Sequence, residues 1–250
     1  MLTFTNLTRA PEIGANSYLL EADGTAALLD AGMHPRLDGW EATPLLDRIP
    51  KKLGTILVSH AHHDHIGSLP LVTSAHSKAR VWMTSATSAL AEPLLHNSVN
   101  VMTRERREKG NMDYPLYTHR GVDDCVVNWE HMPLQKPLRP DGSDLEFILH
   151  DAGHVLGSVL TEIRYQGKRA LYTGDINLQR QTLMLPSQPP PGPIDTVIME
   201  TTRGSQAARP EQDRTFFEAE LLSAIRATFE RGGAVLMPVF AMGKTQEMLA

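Results

Sequence analysis

The stretch Ser59-His60-Ala61-His62-His63-Asp64-His65-Ile66-Gly67 places four histidines and one aspartate within six positions. It follows Thr55–Val58, whose short apolar, branched run reads as a buried strand. In an extended backbone, residues two apart share a face, so His60 and His62 can converge on one point at the strand end. Asp64 and His65 come next, where the loop turns, and can serve a second point close by. A solvated, histidine-rich loop is the competing reading. The H-x-H-x-D-H spacing at a strand end favours a metal cage, because imidazole and carboxylate are the ligands zinc takes.

Two later strand ends offer further ligands. His154 sits on a glycine-flanked turn in Asp151-Ala152-Gly153-His154, after the run LEFILH, and Asp175 follows RALYTG. Either residue alone could be an ordinary turn residue. Combined with the first cluster, they supply a third imidazole for one ion and a carboxylate to share between two. Such a shared carboxylate holds metals roughly 3.5–4 Å apart in two-metal hydrolysis.

The surrounding chain reads as a mixture of strands and helices. Strand-like runs occur at Tyr18–Glu21, Ala26–Leu29, Thr55–Val58, Arg80–Met83, Leu145–Leu149, Val159–Tyr165, Arg169–Tyr172, Thr196–Met199 and Ala234–Val239. TEIRY and RALYT flank Gln166-Gly167-Lys168, a hairpin signal, so part of the sheet is antiparallel. Between Pro210 and Arg231, Phe216, Phe217, Leu221, Ile225 and Phe229 recur at helical spacing, and Gly232-Gly233 ends the run. The expected architecture is therefore a layered α/β or α+β domain. Residues 96–124, with RERREKG, read as a solvated helix or excursion. Residues 186–193, PSQPPPGP, read as a stiff surface connector that cannot join a central strand.

Composition bounds the function. The 250 residues are 41% hydrophobic and 21% charged, with a net charge of −5, which gives no broadly basic nucleic-acid surface. Any polyanionic partner must then meet a local patch, a metal site or a further segment. A single cysteine, Cys125, excludes an internal disulfide framework and fits a reducing cytoplasm. There is no signal-peptide pattern at the start and no apolar run near the ~18 residues that cross a bilayer, so the chain reads as soluble and intracellular, with no membrane partner. Gly243-Lys244-Thr245 looks like part of a phosphate loop, but Pro238 occupies the place of its first glycine. No G-x-S-x-G elbow is present.

The order Asp30 (in LLDAG), HAHHDH, GHVLGS and TGD resembles the metallo-β-lactamase superfamily over about residues 12–205. That resemblance implies an αβ/βα sandwich of mixed sheets flanked by helices, with two zinc ions at one edge. It implies that His60, His62 and His154 hold one metal, that Asp64 and His65 hold the other, and that Asp175 bridges them. Asp30 would support the histidine loop from behind the ligands, and His63 would point away. Glu200-Thr201-Thr202-Arg203-Gly204, AGHVLGS and PVFAMGKTQEMLA look more narrowly like the β-CASP nucleases, the group that includes the pre-mRNA 3′-end processing endonuclease and bacterial RNase J. In that group the acidic residue matching Glu200 helps position a histidine near the metals. Asp64, Asp175 and Glu200 are thus the implied catalytic carboxylates.

The resemblance divides the chain into a catalytic domain over 1–205 and the start of a β-CASP cap over 206–250. The group's two later histidine motifs, which carry a ligand of the second metal and the general acid, are not among these residues. The expectation is therefore the N-terminal part of a longer protein. His34, His76, His96, His119, His131 and His150 match no motif. The function implied is a zinc-dependent phosphodiesterase that cleaves RNA by attack of a metal-bridging hydroxide, with single-stranded DNA and homo-oligomerisation left open. A thioester or lactone hydrolase of the same superfamily would share every ligand. A non-catalytic RNA-processing scaffold is the reading from another class, but such subunits usually lose ligands.

Overall fold

A computed structural model describes residues 1–9, 14–205 and 213–250. These separate into two compact units, Met1–Glu200 and Thr201–Ala250.

The first unit is built on two sheets. In one, β1 (Thr3–Asn6), β2 (Tyr18–Ala22), β3 (Thr25–Leu29), β4 (Leu53–Leu57), β5 (Arg80–Met83) and β6 (Trp129–His131) lie side by side in chain order. The β1–β2 and β2–β3 pairings are antiparallel, and the remaining three are parallel. The other sheet runs β11 (Thr196–Ile198), β10 (Lys168–Tyr172), β9 (Val159–Tyr165), β8 (Glu146–Asp151), β7 (Pro137–Leu138), antiparallel except for β10 with β11. Leu20, Ala27, Leu29 and Leu57 from the first sheet meet Phe147, Leu149, Val159, Ile163 and Tyr172 from the second in one buried cluster. Burying each of the Leu, Val, Ile and Phe side chains is worth roughly 1.5–3 kcal/mol, so this interface fixes how the strand ends of the two sheets face each other.

Two tight turns set the registers. Gln166 and Gly167 between β9 and β10 have φ of 48° and 76°, and Asp23 and Gly24 between β2 and β3 have 51° and 76°. Positive φ at both central residues matches the right-handed twist of the flanking strands. The first turn is the hairpin expected from TEIRY and RALYT. The second was signalled by Asp-Gly, which the strand reading passed over.

Helices fill the connections: α1 (His63–Ile66), α2 (Leu69–Ala75), α3 (Ser85–Lys109) and α4 (His119–Val126), with α4 packed on α2 and α3. The Thr84 hydroxyl accepts from Thr87 N at 3.1 Å and caps α3, which Gly110 closes with a φ of 71°. The polar stretch 96–124 is therefore divided between the second half of α3 and α4. No helix of the described residues is long and apolar enough to cross a membrane.

In the second unit α5 (Arg214–Glu230) is capped by Asp213 Oδ1, which accepts from Phe216 N at 2.9 Å; α6 (Lys244–Leu249) follows. The helix expected from Pro210 thus begins at Arg214, with 210–212 outside the described residues. Ala234–Val239, read as a strand, is not one: it pairs with no strand among the described residues, and Leu236 is 90% exposed. Branched apolar residues suit a pleated, half-buried surface, and without a partner ladder their propensity alone does not make a strand.

Candidate metal centre

The histidine loop is held from three sides. Asp30 ends β3 with a φ of 59°, a left-handed conformation that Asp tolerates better than most residues. From there the chain runs beside the loop: Ala31 N donates to His65 O at 2.8 Å and Met33 N to His63 O at 3.1 Å. Asn16 N donates to Asp64 O at 2.9 Å. Gly32 lies so close that a Cβ there would stand 1.7 Å from Asp64 O. On the opposite side, Val159 N donates to Ser59 O at 2.8 Å, which ties the loop to β9.

The buried Asp30 carboxylate organises this region. Its Oδ1 accepts from Ser59 N at 2.7 Å. Its Oδ2 accepts from Ser59 Oγ at 2.8 Å, Tyr172 OH at 2.6 Å and His65 Nδ1 at 2.8 Å. Ser59 Oγ also lies 3.0 Å from His60 Nδ1. Both rings thereby have Nδ1 occupied and turn Nε2 outward, an arrangement that fixes ring orientation in metal sites.

His154 arrives on the turn after β8, where Gly153 has a φ of 65° and a Cβ would meet Ser187 N at 2.5 Å. Ser158 Oγ accepts from His154 N at 3.1 Å, and Asn177 and Gln181 donate to Gly153 O at 3.2 Å each. Asp175 follows β10 through Gly174, whose missing side chain admits Ser59: a Cβ would lie 2.7 Å from Ser59 Cβ.

These elements bring His60, His62, His154 and Asp175 together, with one ligand atom from each inside 4.8 Å of the others. His62 Nδ1 is 2.9 Å from His60 Nε2 and 3.2 Å from His154 Nε2. Asp175 Oδ2 is 3.8 Å from His60 Nε2 and 3.4 Å from His154 Nε2. Ligands of a tetrahedral zinc, each about 2.0–2.1 Å from the metal, stand about 3.3–3.4 Å apart, so the four separations bracket what that ion needs. The other carboxylate oxygen, Asp175 Oδ1, is 3.3 Å from His65 Nε2, which is 3.8 Å from Asp64 Oδ2. One carboxylate therefore faces two adjoining donor sets. His60 is fully buried, whereas Asp64, His154 and Asp175 have side chains 22–26% exposed, so the cluster opens to solvent on one side.

The electrostatics suit cations. Burial, then the neighbouring His65, His62 and His154, drive the His60 pKa well below its usual value, and burial with His154 lowers that of His62 to about 4. Both rings are thus neutral at pH 7, the state that donates to a metal. Burial would raise the Asp175 pKa, but the hydrogen bond to His65 and the charge of that ring, with smaller contributions from His154 and His62, outweigh it and hold it at about 2. Burial opposes the charge on His65 as well, yet Asp30 and Asp175 raise its pKa well above 6.5. Tyr18, pushed up to about 12 by burial and then Asp30, keeps its proton and donates to Asn16 Oδ1 at 3.0 Å.

Glu200 stands apart from the imidazoles. Its Oε1 accepts from Ile176 N at 2.7 Å, one residue past Asp175. His63 begins α1 with an exposed side chain and is not one of the four. Ser59, Tyr172 and Asn16, the last with its carboxamide nitrogen 3.1 Å from His65 Nε2, had no assigned part in the sequence reading. Only Ser59 carried a signal, its place within the quoted stretch.

A two-sheet α/β domain with a cluster of His and Asp side chains at its strand ends defines a class, and the chain belongs to it: the Metallo-beta-lactamase superfamily, whose sequence model matches residues 10–223. Among curated proteins, the endoribonuclease ysh1 of Schizosaccharomyces pombe is 32% identical over 251 residues, covering 100% of this chain and 32% of that protein. The endoribonuclease ysh1 of Aspergillus fumigatus is 33% identical over 256 residues, covering 99% of this chain and 28% of its own length. The chain spans about a third of the length of these relatives. Among solved structures, the metallo-beta-lactamase fold protein YhfI of Bacillus subtilis aligns with a TM-score of 0.46 and 16% identity, covering 71% of this chain and 64% of that one.

Proposed function

We propose that residues 1–205 are the catalytic domain of a zinc-dependent phosphodiesterase that cleaves RNA, and that residues 206–250 begin a β-CASP domain. The observation that carries the reading is Asp175, whose two oxygens face two separate donor sets. His60, His62 and His154 would hold one zinc, Asp64 and His65 a second, with Asp175 shared. Bound there, zinc would supply water activation near neutral pH and would offset charge on a phosphate oxygen. The chain's own groups arrange this. Asp30 keeps the Nδ1 proton of His65, so that Nε2 is the atom offered once a metal displaces the second proton that Asp30 and Asp175 favour; Ser59 orients His60 in the same way. Glu200 fixes the backbone beside Asp175. The relatives named endoribonuclease favour RNA as the polymer, while contacts to phosphate alone read no sequence.

The test is to incubate the zinc-supplemented chain with labelled single-stranded RNA, single-stranded DNA, and a thioester and lactone panel. Weak zinc-dependent RNA cleavage that His62→Ala abolishes is the expected result, weak because the general acid and a ligand of the second metal are not among these residues. Hydrolysis of the small esters with RNA left intact would overturn the assignment.

A further inference from the structure

Six histidines match no motif, and the fold brings two of them together. His96 lies on α3 and His119 opens α4, with their Nδ1 atoms 2.9 Å apart, ring centroids 5.1 Å apart and ring planes 21° apart, so the two rings meet edge to edge. Asp123, one turn further along α4, places Oδ1 3.4 Å from His96 Nε2. From these positions we propose that His96 and His119 form a surface site for a first-row divalent cation, oriented by Asp123 and sharing no residue with the candidate centre.

Two neutral ring nitrogens at this distance cannot both present lone pairs, so one carries a proton. With Asp123 Oδ1 3.4 Å from His96 Nε2, the carboxylate favours the proton on that nitrogen, which leaves His96 Nδ1 bare and makes His119 Nδ1–H the donor in the metal-free pair. Carboxylate, imidazole and an inward-facing lone pair form the arrangement that orients histidine ligands elsewhere. For a cation to enter, the His119 proton moves through water from Nδ1 to Nε2; the ring stays neutral and no proton is lost. The nitrogens then open from 2.9 Å to about 3.3 Å, a small rotation for side chains this exposed. Solvent fills the remaining positions. Two imidazoles suit Cu²⁺, Ni²⁺ and Zn²⁺, whereas Mg²⁺ and Ca²⁺ prefer oxygen. An ion held here would cross-link two helices through residues 23 apart in sequence.

The experiment is equilibrium dialysis of the full 250-residue chain against Zn²⁺, with metal counted per chain for the unmodified protein, His96→Ala, His119→Ala and Asp123→Asn. The two alanine variants should each saturate one equivalent lower, while zinc retained through gel filtration, which reports the tighter candidate centre, is unchanged. Asp123→Asn should keep the equivalent but bind it about 10-fold more weakly, the lower end of what losing an orienting carboxylate costs. Equal saturation of all four proteins would overturn the proposal and leave a hydrogen bond between helices. So would a loss of zinc confined to the fraction retained through gel filtration.

Discussion

Replacing Asp30 by Asn keeps the side chain's shape and a residue that accepts a φ of 59°. What it removes is one acceptor and the charge. The carboxylate takes four hydrogen bonds in a fully buried position, three of them on Oδ2. The amide oxygen will therefore occupy the Oδ2 place, and the NH2 group will face Ser59 N–H, donor against donor. An unsatisfied buried donor costs about 1–3 kcal/mol, and each of three bonds weakens from the charged to the neutral range, about 1 kcal/mol apiece. Relief from burying a charge offsets part of this, which leaves an expected loss of about 3 kcal/mol. The assay is urea unfolding in chelator, so that the fold is measured rather than metal binding. Trp40, Trp82 and Trp129 all lie within Met1–Glu200, so their fluorescence follows this unit alone. A loss below about 1 kcal/mol would refute the role assigned to Asp30 as the anchor of the loop.

Gly32→Ala drives a methyl group to 1.7 Å from Asp64 O, so the two backbone segments must separate; we expect little folded protein by tryptophan fluorescence, and a melting temperature equal to the parent's would contradict the packing. Glu162 is buried on β9, and although burial raises its pKa, hydrogen bonds from Arg164, Arg169 and His150 hold it at about 2, below the usual 4.5. A depressed carboxylate stabilises the fold above its unfolded pKa and loses that contribution as pH falls towards the folded value. Urea midpoints of the parent should thus exceed those of Glu162→Gln at pH 7, and the gap should narrow from about pH 5 down to 2. A gap that is constant with pH would remove the ionised carboxylate from the account.

Much of the candidate site was legible because its residues are local. HAHHDH lies within one loop, and each later member of the cluster follows a strand marked by Gly: Gly153 before His154 and Gly174 before Asp175. These glycines are where another backbone or side chain approaches too closely for a Cβ, so the sequence marks the contact without naming the partner. The partners were not legible. Tyr172 reaches Asp30 across 142 positions, and Asn16 reaches His65 across 49, links that only the packed sheets create. Short strands also escaped: TFTN, WEH and PL carry too few residues to show alternation, and pairing defines them. Ala234–Val239 failed in the opposite sense, with a strand-like composition and no ladder to join among the described residues.

The proposed centre is a pair of zinc ions sharing Asp175. It is tested most directly by counting zinc retained through gel filtration in the parent and in Asp175→Asn, which keeps the size of the side chain and removes the charge both ions share. We predict between one and two zinc ions per chain in the parent, the second held weakly because the later histidine ligand is not among these residues, and at most one in the variant, while the variant's tryptophan fluorescence still reports a folded unit. Two zinc ions retained by a folded Asp175→Asn protein, or none retained by the parent, would contradict it.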